Sequence, residues 1–355
     1  MDPPVKLSDF DFDLPEALIA LHPAAQRRAA RLLVRDGAKT TLSEFSRIGE
    51  FLRPGDLLIF NDTKVIPARL SGRRVRADAD AAVEITLIAP ETPDKWSALA
   101  RPAKKCRIGD QIHFDGSLVG TVTEKGADGA LTLEFAYDTP DFMAALDRAG
   151  TMPLPPYIAS KRGAEDSDKD RYQTVFARHD GAIAAPTASL HFDTALIDEL
   201  AGHGIGHAFV TLHVGIGTFM PVKTDDIADH KMHSEWAHVS AEAASAINRA
   251  KAAGGRIIPV GTTALRLIET VAENTGHMRA WQGDTDIFIT PGYDFKITDG
   301  LITNFHLPKS TLLMLVSALI GRAEMAEVYA TAIAESLRFF SYGDSSLLFP
   351  ERQTP

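Results

Sequence analysis

A single cysteine, Cys106, occurs in the 355 residues. That excludes an internal disulfide framework and fits a reducing compartment. Positive charge is in short supply too. The 37 Lys and Arg are outnumbered by 47 Asp and Glu, for a formal net charge of -10, which argues against wholesale attraction to nucleic acid or an anionic membrane. Long apolar runs are missing. The most apolar stretch, Thr311–Ile320, is too short to span a bilayer. No apolar run follows a basic start, so no secretory leader is expected, and the cytosol is the expected location. Two motifs are also lacking. There is no H-E-x-x-H, and after Gly215 and Gly217 the third glycine of a dinucleotide fingerprint is replaced by Met220. The usual zincin and Rossmann chemistries are therefore not expected.

What is present has the apolar and charged content of an ordinary globular protein, long enough for two domains. Pro15 and Glu16 open a short helix ending near Pro23, and Arg31–Arg35 reads as a strand. A short helix at Ile48–Leu52 precedes the buried strand Asp56–Phe60, which runs into the polar cluster Asn61-Asp62-Thr63-Lys64. Open α/β sheets place chemistry at such strand ends. From Ile66 to Tyr137 short strands follow one another (Val83–Ala89, Lys95–Ala100, Gln111–Phe114, Leu118–Glu124, Ala130–Phe135) with Gly and Asp between them. This pattern predicts a small all-β barrel. A helix at Phe142–Ala149 and the Pro-rich connector Met152–Ile158 lead back to the main body.

Ala159–Lys169 is charged and apolar-poor and reads as a mobile loop. Beyond it strands (Ala208–His213, Arg256–Val260, Asp286–Ile289) alternate with helices (Thr194–His203, Ala241–Ala253, Thr263–Glu273, Met325–Arg338). The expected fold class is a mixed α/β body, residues 1–65 and 151–355, with an all-β barrel inserted at 66–150.

Several clusters have the composition of a site. Leu301–Gly321 carries Asn304, His306 and Lys309 to the mouth of an apolar helix capped by Ser310. Thr187–Phe192 contains His191, which taken alone reads as a hydrogen-bonded core histidine. Thr211–Phe219 holds His213, Gly215, Gly217 and Thr218, where two glycines let backbone approach a ligand. Asp229–Glu235 holds His230, His233 and Glu235. It reads as a loop supplying a base, with a metal-dependent hydrolase as the alternative. Gly261-Thr262-Thr263, between a strand and a helix, offers free N–H groups to an anion or makes an ordinary cap. Phe339–Asp344 contributes Tyr342 and Asp344. Arg69, Arg73, Arg74, Arg76, Arg101, Lys104, Lys105 and Arg107 concentrate positive charge in the β unit, a phosphate-binding face or a solvated run. A non-catalytic RNA-binding protein built on that unit is a further alternative.

Together these segments resemble the S-adenosylmethionine:tRNA ribosyltransferase-isomerases of queuosine biosynthesis. The matching stretches run nearly end to end: LSDFDFDLPEALIALHP, LLIFNDTKVIPARL, MPLPPYI, DRYQTVFA, AAPTASLHF, VTLHVGIGTFMPV, HKMHSE, VGTTALRLIET, the segment from Asp284 to Gly321, and FFSYGD. Ser189 stands where the family usually has Gly, Ala264-Leu265 where it has Ser-Val, and Met220 where it has Gln. The resemblance implies a larger α/β body with an inserted β-barrel. It implies a pentosyl-type transferase that moves the ribosyl group of S-adenosylmethionine onto 7-aminomethyl-7-deazaguanine at the wobble position of a tRNA with a GUN anticodon. Epoxyqueuosine forms in the tRNA, and adenine and methionine leave. No metal or other cofactor is implied, since S-adenosylmethionine is consumed as a substrate, and a monomer away from any membrane is expected. On this resemblance His213 or Glu235 is the base at C5′ with His233 assisting, and His191 or His306 is the acid toward adenine. Gly261, Thr262 and Thr263 take the methionine carboxylate, while Gly215, Gly217 and Thr218 line the ribose. Asp62 or Asp344 holds the acceptor amine, and Asn304 and Tyr342 orient a base. Arg69, Arg73, Arg74, Arg101, Lys104 and Lys105 meet the tRNA.

Overall fold

Leu57–Asn61 is buried at every position, as a strand with no polar alternation must be when both faces are covered. In the computed structural model, which describes residues 5–76, 80–163, 165, 167–219, 222, 224–273 and 275–351, it lies inside a nine-stranded sheet. The order across that sheet is Trp281–Thr285, Glu235–Val239, Gly206–Leu212, Leu57–Asn61, Ile257–Val260, Leu301–Asn304, Ser345–Phe349, Arg31–Asp36 and Lys39–Glu44. The central strands Gly206–Leu212, Leu57–Asn61, Ile257–Val260 and Leu301–Asn304 run parallel. Their carboxyl ends therefore share one edge. The antiparallel strands Glu235–Val239 and Ser345–Phe349 start at that edge. The chain segments that follow Asn61, Leu212, Val260 and Asn304, and those that precede Glu235 and Ser345, are thus gathered along one line.

Six antiparallel strands, Arg69–Val75, Ala81–Thr92, Lys95–Arg101, Ala130–Ala136, Val119–Lys125 and Gln111–His113, close into a barrel through the pairing of Arg73 with His113. Phe142 of the helix Phe142–Ala149 packs on Trp96 and Phe135 of the barrel. Gly150–Thr151 pairs with Arg69 and Leu70. The expected fold class, a mixed α/β body with a small all-β barrel, is the one observed.

Individual elements depart from expectation. The helix at Pro15–Pro23 is only the 3-10 turn Glu16–Leu18. The short helix expected at Ile48–Leu52 is a 3-10 turn over Phe45–Phe51. Strands form at Lys39–Glu44 and Arg69–Val75, where polar content masked the period-2 pattern. Asp286–Ile289 is not a strand. The polar segment Trp281–Thr285 pairs along Glu235–Val239 instead, and Ile287 and Phe288 pack against the core beside Thr311–Ile320.

The charged segment at 159–169, expected to be a mobile loop, holds two of its charges inside the fold. Arg162 grips Asp168 through two hydrogen bonds of 2.9 and 2.7 Å. The Arg162 Nε donates to the Leu21 carbonyl at 3.0 Å, and the Tyr342 hydroxyl donates to Asp168 at 3.1 Å. Asp168 is 2 % exposed. Arg162 and Asp168 thus face inward and pair with one another, while Lys161 and Glu165 stay exposed, a distinction that the composition of the segment concealed.

Candidate active site

Two adjoining cavities lie at the carboxyl edge of the parallel strands. The larger, of about 360 Å³, is lined by Gly217, Thr218, Thr224, His230, His233, Glu235, Arg266, Thr311 and Leu312 among others. The smaller, of about 70 Å³, is lined by Thr187, Val214, Gly261, Thr262, Thr263, Thr303, Asn304 and His306. Thr218 and Leu312 belong to both walls. Most of the residue groups picked out in the sequence therefore meet here, brought together by the shared strand edge.

Glu235 opens an antiparallel strand whose alternation turns Glu235 inward and Trp236 outward. Its Oε1 accepts the Gly215 N–H at 2.9 Å, and its Oε2 accepts from Arg266 Nη2 at 2.5 Å. Both side chains of this pair are 6 % exposed. Arg266 Nε and Nη1 and Thr224 Oγ1 are buried and meet no hydrogen-bond partner among the described residues. Gly217 permits the close seat of His233, since a Cβ there would lie 2.5 Å from the His233 ring. On the floor, Asn61 ties three strand ends together. Its Nδ2 donates to the Leu212 carbonyl and to Thr263 Oγ1, and its Oδ1 accepts from Leu212 and Thr63 N–H.

Asn304 sits between Thr187, whose hydroxyl donates to its Oδ1 at 2.9 Å, and His191, 3.2 Å from its Nδ2. In that arrangement His191 Nε2 accepts, which leaves its proton on Nδ1. Burial pushes the His191 imidazole down to about 4. His306 is 3.0 Å from Thr303 Oγ1 through Nε2, and burial pushes it down to about 3. Both rings are neutral at pH 7. As neutral rings they can donate or accept a hydrogen bond.

Other expected site residues fall outside these two cavities. His213 is stacked on Trp236, with ring centroids 4.8 Å apart, and its Nδ1 is 2.7 Å from Thr63 Oγ1. It therefore projects to the face opposite Glu235, where burial pushes it down to about 4. Gly181, at φ 150°, leaves room for that ring. Asp62 accepts from Thr211 Oγ1 at 2.7 Å and lines a separate cavity on the same outer face, with Arg178, His179 and His238. Asp344 is consumed by structure, because its carboxylate accepts from the Arg31 and Arg338 N–H groups and from the Arg338 guanidinium. Tyr342 and His191 face a further cavity of about 270 Å³ beyond Asn304, lined also by Arg27 and Leu190.

On the barrel, Arg69, Arg73 and Arg101 line an open groove of about 740 Å³, although Arg69 pairs with Glu84 and Arg73 with Asp80. Lys104 and Lys105 are exposed on the 3-10 turn Ala103–Lys105. Arg74 is a correction. Strand alternation turns it into the barrel, where it is 5 % exposed and out of reach of a phosphate.

Sequence reasoning missed Arg266, Thr224, Thr187 and Thr303. The signal for Arg266 was present: Arg266 and Glu269 are the only charges in the helix Thr262–Ala272, whose buried face includes both. Glu269 accepts the Lys296, Ile297 and Thr298 N–H groups and is structural. The metal-hydrolase alternative needs His230, His233 and Glu235 to converge. Among the described residues no three such side chains come together at ligating distance. Ser189, which replaces the family's Gly, is fully buried, and its hydroxyl meets no partner among the described residues. Met220 lies outside the described residues.

A family model described as "Queuosine biosynthesis protein" matches residues 7–348. The chain belongs to this family. Similar members are the S-adenosylmethionine:tRNA ribosyltransferase-isomerases of Ruegeria pomeroyi, 58% identical over 98% of this chain and 100% of that protein, and of Roseobacter denitrificans, 57% identical over 98% and 100%. The fold is similar to that in a crystal structure of S-adenosylmethionine tRNA ribosyltransferase from Thermotoga maritima. That protein is 35% identical, with a TM-score of 0.55 over 96% of this chain and 99% of the other. Family members thus align along nearly the whole length of this chain, site and barrel included.

Proposed function

We propose that this chain is an S-adenosylmethionine:tRNA ribosyltransferase-isomerase that transfers and isomerises the ribosyl group of S-adenosylmethionine onto 7-aminomethyl-7-deazaguanine at the wobble position of a GUN-anticodon tRNA. Adenine and methionine are released and epoxyqueuosine-tRNA is formed. The observation that carries this reading is the buried Glu235–Arg266 pair, His233 and the Gly261–Thr263 turn around two adjoining cavities, in a chain 58% identical to a protein of that name.

The chemistry asks for a proton acceptor at C5′, acidified by the neighbouring sulfonium, and for a site that keeps water from reactive intermediates. With His213 on the outer face, the acceptor role falls to His233 on the rim, and Glu235 supplies a carboxylate on the same cavity wall. Loss of the C5′ proton breaks the C4′–O4′ bond to give a vinyl sulfonium, and O4′ becomes the C1′ aldehyde as the C1′–N9 bond breaks and adenine leaves with a proton. The acceptor amine adds to C4′ and loses a proton, which regenerates an ylide at C5′; that carbon closes on the C1′ aldehyde, and the resulting alkoxide displaces methionine from C5′ to form the epoxide. His191, His306 and Asn304 act as neutral hydrogen-bonding groups toward adenine and ribose, alongside Gly215, Gly217 and Thr218. S-adenosylmethionine is a substrate in this scheme, and no cofactor is required by it.

The barrel groove at Arg69, Arg73 and Arg101, with Lys104 and Lys105 beside it, is the proposed contact with tRNA phosphates. The proposed division is a catalytic body at 1–65 and 151–355 with an insert at 66–150. A cytosolic monomer is the working state. Among the described residues no helix is long and apolar enough to cross a membrane. Incubation with S-adenosylmethionine and tRNA carrying 7-aminomethyl-7-deazaguanine tests the reading. Adenine release dependent on that tRNA, and lost in His233→Ala, is expected. Adenine release unaffected by omission of the tRNA argues against it.

A further inference from the structure

A buried ion pair is a weak source of stability, because desolvation of both charges offsets most of their attraction. Glu235 and Arg266 are nonetheless retained on the wall of the larger cavity, each 6 % exposed and in contact through one guanidinium nitrogen. Among the described residues the other two nitrogens of Arg266 are buried and meet no acceptor. Thr224 Oγ1, on the same wall, is likewise without a partner among the described residues. Orphaned buried donors beside a cavity are costly unless a ligand completes them. A cation and an anion held side by side at a cavity wall have the charge pattern complementary to a zwitterion.

We propose that the Glu235–Arg266 pair is the recognition site for the α-amino-acid end of S-adenosylmethionine, with Arg266 taking the α-carboxylate and Glu235 the α-ammonium. This rests on the ribosyltransferase reading for the identity of the ligand. It moves the carboxylate away from the Gly261–Thr263 turn, where the sequence had pointed. That turn offers only partial charge in a chamber of about 70 Å³, and Thr263 Oγ1 already accepts from Asn61. Arg266, on the same helix, offers a full charge to the larger cavity. Glu235, with one oxygen on Gly215 N–H and the other on Arg266, is then a binding group, and proton transfer at C5′ stays with His233.

Calorimetric titration without tRNA tests this with three ligands: S-adenosylmethionine, its decarboxylated analogue, and the analogue lacking the α-amine. The intact protein is expected to bind each truncated ligand about ten- to a hundredfold more weakly than S-adenosylmethionine. In Arg266→Gln the preference over the decarboxylated ligand disappears while the preference for the amine persists. Glu235→Gln gives the converse. A purely structural pair would weaken all three ligands by one common factor and overturn the proposal. So would equal affinity of the intact protein for S-adenosylmethionine and its decarboxylated analogue, a result that needs no variant to fold. Arg266→Lys, which keeps the charge, should restore part of the discrimination. A protein that shows this binding pattern but releases no adenine with acceptor tRNA would retire the ribosyl-transfer reading and leave the amino-acid site standing.

Discussion

Lowering the pH from 7 to 5 should destabilise the wall of the site through two histidines. His191 and His306 are buried neutral, at about 4 and about 3, whereas an unfolded histidine takes up its proton near pH 6.5. A group depressed in this way contributes stability that is fully present above the unfolded value and is lost as pH falls toward the folded one. At pH 5 each unfolded ring is protonated and each folded ring almost wholly neutral. The difference is about 1.5 pH units, or about 2 kcal/mol per ring and about 4 kcal/mol for the two. Both rings are at least nine-tenths buried, so solvent screening removes little of this.

The carboxylates held low in the fold do not interfere. At Asp168 burial raises the carboxyl but is outweighed by Arg162, while the hydrogen bond from Arg76 leads at Asp110 and that from Arg28 leads at Asp193. All three lose their contribution only below about pH 4. His213, also held at about 4, adds a loss of the same sign from the outer face. Equilibrium urea unfolding at pH 7 and pH 5, in the intact chain and in His306→Gln, isolates one ring. The loss of stability between the two pH values should shrink by about 2 kcal/mol in the variant. An identical loss in both proteins would refute the reasoning that His306 is buried neutral.

Three further outcomes follow from the geometry. Gly217→Ala places a methyl where only 2.5 Å separates it from the His233 ring. It should cut adenine release at least about tenfold by displacing His233, while the rim position leaves the melting temperature nearly unchanged; undiminished kcat/KM would remove His233 from the site. Asp168→Asn strips the partner from buried Arg162 and should cost about 3 kcal/mol in thermal or urea unfolding, whereas a loss within error would mean that the pair is solvated after all. Charge reversal at Arg69, Arg73 and Arg101 should weaken tRNA binding and flatten its logarithmic salt dependence by about one unit per lost phosphate contact, with S-adenosylmethionine binding unchanged. A preserved salt slope would move the tRNA to another surface.

The parts legible in the sequence are those in which local pattern and tertiary environment agree. The strand LLIFN and the helix TLLMLVSALI are mostly apolar and mostly buried. The helix Phe142–Ala149 has Asp141 as its N-cap, accepting from the Ala144 N–H, and Gly150 at its end. Failures came where polar residues lie inside. Arg162 and Asp168 carry the composition of a solvated loop but form a buried pair. Trp281–Thr285 is a strand because Glu235–Val239 pairs with it, and not through its own propensity.

At the site, grouping by segment picked out Glu235, Thr262 and Asn304, which line the two adjoining cavities, since strand ends in a parallel sheet converge whatever their separation in sequence. Side-chain direction was harder. His213 and Glu235 come from adjacent motifs, yet strand alternation and the pairing of His213 with Trp236 send them to opposite faces. Asp344 and Asp62 looked like free carboxylates because a linear sequence does not reveal the N–H and hydroxyl groups that fold onto them. Arg266 was overlooked because a charge within an amphipathic helix ordinarily marks its solvent side.

The central claim is that the cavity built around Glu235, Arg266 and His233 moves a ribosyl skeleton, and not a methyl group, from a sulfonium to RNA. Its most direct measurement is the mass of the tRNA nucleoside formed from S-adenosylmethionine labelled with carbon-13 either throughout the ribose or only in the methyl group. Transfer of all the ribose label and none of the methyl label is the predicted result. Methyl label in the RNA with the ribose carbons left behind would contradict it.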